Sequence, residues 1–192
     1  MHEKIKKFKV LNREIRNCKK CGLWKTRTYA LPGEGNISSR LMMIAQAPGY
    51  TEDRNGKMFI GPSGKKLDEL LGEAGIARED IFITNLLRCV LPHNRRPHSD
   101  EIEACTSYLD REIDLVDPTV ICTLGYFPAK YIFEKFRIEN KLGFPEVYGM
   151  VFSVRNKKII LLGHPAALLY DNSIEEKMKE DYKKLKRLLG LI

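Results

Sequence analysis

The 192-residue chain is poor in several residue types, with one tryptophan, four histidines and five cysteines. An odd cysteine count argues against a scaffold of paired disulfides. Long apolar runs are also missing: Val151–Val154 and Ile159–Gly163 are far too short to cross a bilayer. Residues 1–16 interleave charged and apolar positions and lack the continuous apolar core of a secretory signal, so a cytoplasmic location is expected. No internal repeat or low-complexity tract is visible, which excludes solenoids and disordered linkers. Negative charge is in deficit, with 33 Lys and Arg against 25 Asp and Glu and a net charge of +8. That balance favours a polyanionic partner, nucleic acid first, but a 30% charged composition also suits proteins of hot environments. What is present suffices for a core: 43% of the residues are hydrophobic, which excludes wholesale disorder. The length fits one domain spanning residues 1–192.

The cysteines fall in a pattern. Cys18-Lys-Lys-Cys21 is a chelating turn whose flanking lysines favour the thiolate. Cys89 and Cys105 lie far along the chain. Zinc ribbons and fingers use two close pairs, so this spacing fits them poorly. It better suits an iron–sulfur site that bridges distant segments. Scattered structural cysteines and a redox-active CxxC are the alternatives that spacing leaves open. Cys122 sits in the apolar run Thr119–Leu124 and reads as a small core residue.

Periodicity supplies the outline. Lys4–Arg16 carries Ile5, Phe8, Leu11 and Ile15 on a near-helical period. Leu41–Ala45, Ile81–Thr84, Thr119–Leu124, Met150–Val154 and Lys158–Leu162 read as strands, the last two forming a hairpin around Arg155-Asn156-Lys157. A polar loop is expected from Gln46 to Gly61. Helices are expected at Lys65–Gly75, at Ser99–Val116 with Ser99 as N-cap, near Phe127–Phe136, and at Ser173–Leu189. Strands alternating with helices predict a three-layer α/β/α sandwich around a mainly parallel sheet of four or five strands. Gln46-Ala47-Pro48-Gly49, Asn85 and His164-Pro165 each follow a strand. Open parallel sheets bind ligands beyond the carboxyl ends of their strands, so these three elements converge on one edge.

With those residues in place, the chain resembles the family-4, iron–sulfur uracil-DNA glycosylases. The resemblance rests on Ala45–Gly49, Glu52-Asp53, Gly56–Gly64, Ile83-Thr84-Asn85, His164-Pro165-Ala166 and the four cysteines, and it runs from Cys18 to about Leu169. It implies a 4Fe–4S cluster held by Cys18, Cys21, Cys89 and Cys105, which ties residues 1–30 to the rest. It also implies uracil-containing DNA as the substrate. A monomer is the default, with replication or repair proteins as candidate partners.

Excision of uracil breaks an N-glycosidic bond after the base has left the stack. The resemblance makes Phe59 the stacking ring, Asn85 the reader of the uracil edge, and His164 the donor to the charge developing on uracil O2. Read alone, these are a core Phe, a strand-ending Asn in an Asx turn, and a loop His before a Pro. The first motif departs from the family. Gly-Glu-(Ala/Gly)-Pro-Gly is usual there, and Ala45 and Gln46 replace its first two residues. Family-1 enzymes have Gly-Gln-Asp-Pro-Tyr, with Ala47 at the place of their water-activating Asp. Gln46 and Ala47 can orient water or contact uracil but supply no carboxylate. Glu52 and Asp53 are the acidic candidates nearby, and Glu52 is expected to position water or to hold His164. Leu168 or Leu169 would fill the gap left by the flipped base, while Arg95, Arg96, Lys65 and Lys66 would meet phosphates. No lysine matches a lyase position, so a monofunctional hydrolase is expected. Alternatives are a weakly catalytic DNA-binding member and a covalent uracil trap, whose Lys-Arg-Arg-Ile-His insertion this chain lacks.

Overall fold

The computed structural model describes residues 1–140 and 142–190. Six strands form one sheet: β1 (Glu34–Gly35), β2 (Leu41–Ala45), β3 (Ile81–Asn85), β4 (Val120–Leu124), β5 (Val151–Val154) and β6 (Lys157–Leu162). Their order is β1-β3-β2-β4-β6-β5. The four inner strands run parallel, with Met43 opposite Ile83 on one side and Cys122 on the other. Every residue of β2, β3 and β4 is buried, the continuous apolar signature of strands covered on both faces. The two edge strands pair antiparallel. β1 is the strand that sequence periodicity missed, because two residues carry no alternation to detect.

The helices are α1 (His2–Arg16), α2 (Tyr50–Asn55), α3 (Pro62–Glu73), α4 (Ser99–Val116), α5 (Tyr126–Phe136) and α6 (Glu175–Leu188). One face of the sheet presents Met43, Ile83, Cys122 and Ile160 to Leu67 and Leu71 of α3 and Tyr182 and Leu185 of α6. The other presents Met42, Ile44, Phe82 and Ile121 to Ile113 of α4, Ile132 of α5 and Phe8 of α1. The period-2 pleat sends Met42 and Met43 to opposite layers. Among the described residues no helix is long and apolar enough to cross a membrane.

Three local expectations change. Ile5 is 37% exposed while Phe8, Leu11 and Ile15 are buried. Lys4 Nζ already reaches the carbonyl of Val116, the last residue of α4, at 3.3 Å, so Ile5 stands where the helix contact runs out. The expected polar loop contains α2, which opens at Gly49 and closes at Gly56 with φ 68°. Six residues are too few for a helical period to show. The cap of α4 is His98 rather than Ser99: the Glu101 carboxylate accepts from His98 N–H at 2.9 Å, which places Ser99 inside the first turn.

Candidate active site

A cavity of about 350 Å³ opens beyond the carboxyl ends of the parallel strands. Gln46, Ala47, Glu52, Phe59, Asn85 and His164 all line it, together with Ser63, Leu91, Asn94 and Ala166. The predicted convergence of three strand ends is therefore realised. The backbone after β2 is fixed to the backbone after β3: Leu86 N–H donates to the Ala45 carbonyl at 2.8 Å and Leu87 N–H to that of Gln46 at 2.9 Å. Gln46 and Ala47 thus enter the wall on a rigid loop.

Asn85 ends β3 and is 1% exposed. Its Nδ2 donates to Met58 Sδ at 3.4 Å. Its Oδ1 is buried without a hydrogen-bond partner among the described residues. An unpartnered buried acceptor costs on the order of 1–3 kcal/mol, so an N–H donor in the cavity would be welcomed there.

Phe59 lies on a strained turn with φ 52°. Four side chains and one missing side chain hold that turn. Glu34 Oε2 accepts from Met58 N–H at 3.2 Å, and Arg78 Nη2 donates to the Met58 carbonyl at 3.2 Å. Arg78 also pairs with Asp68 at 2.8 Å and places its guanidinium carbon 5.8 Å from the Phe59 ring centre. Glu52 Oε1 accepts from Ile60 N–H at 3.0 Å and Gly61 N–H at 2.7 Å. At Gly64 a Cβ would come within 1.8 Å of the Phe59 carbonyl oxygen, so only glycine admits this turn.

The Phe59 ring stacks on His164 with centroids 6.0 Å apart and planes 30° apart. His164 Nδ1 accepts from Ala166 N–H at 3.2 Å, so the neutral ring carries its proton on Nε2. Surrounding protein desolvates the ring although its edge meets the cavity. That burial lowers its pKa to about 4, against the pull of the Glu52 charge. His164 is a neutral donor through the physiological range.

Glu52 reaches the site differently from its expectation. It braces the Phe59 turn, and among the described residues no hydrogen bond joins it to His164. Asp53 turns away, accepting from Thr28 N–H at 2.9 Å and Tyr29 N–H at 3.3 Å. Of the two leucines after His164, Leu168 is in the core and Leu169 is 41% exposed. Pro165–Leu169 is a 3₁₀ turn, and three residues per turn put buried Pro165 and Leu168 on one side. This corrects Leu168 as a wedge. Arg95 is held by Glu101 through two hydrogen bonds of 2.9 and 2.5 Å, whereas Arg96 is exposed. Arg78, Met58, Glu34 and Asn94 were not singled out by sequence. Each belongs to a segment with no periodicity, and no spacing could have marked them.

The four cysteines gather around one buried cluster. Cys89 and Cys105 are buried in a cluster with Leu11, Ile15 and Tyr108, and Cys18 and Cys21 pack against it. Cys122 lies apart in the core, as expected. All five are free thiols. Arg27 Nη1 donates to Cys89 Sγ at 3.1 Å, while its Nη2 donates to the Cys18 carbonyl at 2.6 Å. Among the described residues no three metal-binding side chains converge on a single-ion site.

Comparisons of the sequence with known proteins identify the family. A family model described as the Uracil DNA glycosylase superfamily matches residues 32–187. A type-4 uracil-DNA glycosylase of Sulfurisphaera tokodaii is 43% identical over 191 residues, covering 97% of this chain and 84% of that one. One of Archaeoglobus fulgidus is 41% identical, covering 93% and 91%. One of Thermotoga maritima is 32% identical, covering 98% of both chains. The chain belongs to the type-4 uracil-DNA glycosylases of that superfamily.

Proposed function

We propose that this chain extrudes uracil from DNA into the strand-end cavity and hydrolyses its N-glycosidic bond there. Enzymes of the family are hydrolases of DNA repair, and the pocket offers what the reaction requires. The C1′–N1 bond breaks with its electron pair leaving on uracil, and water adds at C1′. Phe59 supplies the flat face for the base. Asn85 Oδ1 accepts from uracil N3–H, which neutral cytosine lacks, and Nδ2 turns from Met58 to donate to a carbonyl. His164 donates from Nε2 to the developing anion on O2. Gln46 orients water near the sugar without acting as a base, which a dissociative pathway tolerates. Glu52 acts by holding Phe59 in place. Leu169 fills the gap in the stack, and Arg96, Lys65 and Lys66 meet phosphates. The single observation that carries this reading is the orphaned, buried Asn85 Oδ1 beside the Phe59–His164 stack.

The cysteine set fits a cluster by its chemistry: four free thiols, no disulfide, and an arginine hydrogen-bonded to one sulfur. A cluster is wider than one ion, so its ligands need not converge on one point. Cys18, Cys21, Cys89 and Cys105 would hold a 4Fe–4S group that crosslinks residues 1–30 to the loop after β3, through Cys89, and to α4, through Cys105. When bound it supplies a covalent tie. Hydrolysis needs no electron transfer. The single domain, the monomeric state, repair partners and cytoplasmic location rest on this reading alone.

The test is a uracil-containing oligonucleotide incubated with purified holoprotein, with products resolved with and without alkali. Alkali-labile abasic sites are expected. Unmodified DNA would support a binding protein instead, and an SDS-stable adduct would support a covalent trap.

A further inference from the structure

The net charge of +8 is not spread over the molecule. Residues 1–27 hold ten Lys and Arg against two Asp and Glu, whereas residues 28–192 hold 23 of each sign. The body that carries the cavity is therefore neutral, and the whole excess sits on α1 and the segment bearing Cys18 and Cys21. The excision chemistry gives that excess no task. Within α1 it is ordered. At 3.6 residues per turn, Lys6, Lys9, Arg13 and Arg16 fall within an arc of about 80°. All four are exposed, and among the described residues none forms an ion pair. The two acids of the helix lie to one side and are already engaged, Glu3 with Lys7 and Glu14 with Arg111. Each neighbouring pair in the stripe is like-charged at i,i+3 or i,i+4, which disfavours the free helix. A polyanion would remove that cost. The basic helix α6 is built otherwise: Lys179 pairs with Glu175 and Glu176, and Lys177 and Lys184 pair with Asp181.

The opposite face of α1 is closed, because Phe8, Leu11 and Ile15 are buried in the core. The helix therefore has no apolar face to lay into a membrane. Its Arg16 end passes into Cys18-Lys-Lys-Cys21, where Lys19 and Lys20 are exposed too. Leu11 and Ile15 share one buried cluster with Leu91, which lines the cavity, so this end of the stripe rests on the same core as the cavity wall. From Lys6 to Arg16 the stripe runs about 15 Å at about 1.5 Å per residue. Duplex DNA carries one phosphate charge per about 1.7 Å of its axis, so a run of cations this long meets several phosphates at once. We propose that the Lys6–Lys9–Arg13–Arg16 stripe is a second DNA-docking surface, which grips the phosphate backbone outside the cavity and without regard to sequence. That the polyanion is DNA rests on the uracil-excision reading. The competing explanation is an ordinary solvated helix face.

Binding of an undamaged duplex of about three helical turns, titrated at several salt concentrations with holoprotein, separates the two. The variant carries Lys6→Gln, Lys9→Gln, Arg13→Gln and Arg16→Gln, and Tm is measured alongside. Each lost phosphate contact lowers the slope of log K against log salt by about 0.9, so the variant is expected to lose about 3 from the slope and at least about tenfold in affinity at low salt. A control neutralises four exposed cations elsewhere, Lys130, Lys177, Lys183 and Arg187, and removes the same net charge. It should keep most of the wild-type slope. Arg13 and Arg16 also complement the carboxyl end of the α1 dipole. Should their loss unfold the fourfold variant, Lys6→Gln with Lys9→Gln decides, with about half the change in slope. A wild-type slope in a stable stripe variant, or an equal loss in the control, overturns the inference. Abasic-site formation is assayed separately on a uracil-containing oligonucleotide. If wild type leaves no abasic sites while the stripe variant still loses its slope, the glycosylase reading falls and the docking surface stands.

Discussion

His164 concentrates the residue-scale physics of the site. Ala166 N–H fixes its tautomer, and burial lowers its pKa to about 4. Excision should therefore show no titration of this group near 6.5, the ordinary histidine value, and an acid limb governed by it only near pH 4. A kcat/KM profile, which reports groups of the free protein, with an inflection near 6.5 that His164→Gln abolishes would contradict this. Stability follows with a definite sign. The folded state resists protonation that the unfolded chain accepts, so stability declines as pH falls from about 6.5 to about 4. Urea midpoints across that window, compared with His164→Gln, check it. Ile60 and Gly61 N–H both donate to one Glu52 oxygen, which Gln retains, so Glu52→Gln removes only the charge and should lower kcat/KM by about tenfold or less. Unchanged kinetics would show that the Glu52 charge is not needed. Asn85, Phe59 and His164 were legible as strand-end or motif residues. Leu168 and Leu169 were not separable, because only the 3₁₀ repeat decides which of two adjacent leucines turns inward. The bracing role of Glu52 was hidden too, since its partners are backbone N–H groups that any sequence carries.

At the scale of elements, the site depends on how loops are locked to strands. Gly64→Ala drives a methyl into the Phe59 carbonyl and should lose most excision activity while far-UV circular dichroism stays near wild type. Wild-type turnover in that variant would show that the Phe59 turn is not needed in this form. A second lock is fully buried. Glu112 of α4 accepts from Gly33 N–H at 2.8 Å, Thr84 Oγ1 at 2.6 Å and Arg88, whose Nη1 lies 3.0 Å away. It joins the residue before Asn85 to the residue before Cys89. Arg88→Met strands the Glu112 charge and should cost about 3–5 kcal/mol in urea unfolding. A cost below about 1 kcal/mol would mean that the pair is dispensable. The four inner strands were legible as continuous apolar runs, and the long helices by their 3.6 period. β1 and α2 were not, being shorter than any period that would reveal them.

For the whole molecule, the +8 charge and the gathered cysteines set the behaviour. DNA affinity should weaken steeply with added salt, as phosphate contacts release counterions. If four cysteines hold a cluster, Cys18→Ala should lose iron and visible absorbance together and lower Tm. A stably folded, cluster-free and fully active Cys18→Ala protein would refute the structural role. The central claim is that the cavity reads uracil through Asn85, and it is tested most directly by kcat/KM for uracil excision in wild type and Asn85→Ala on one oligonucleotide. The predicted result is a loss on the order of 10²–10³-fold with Tm retained, since the reading hydrogen bonds vanish from a desolvated site. Equal kcat/KM in the two proteins would contradict it.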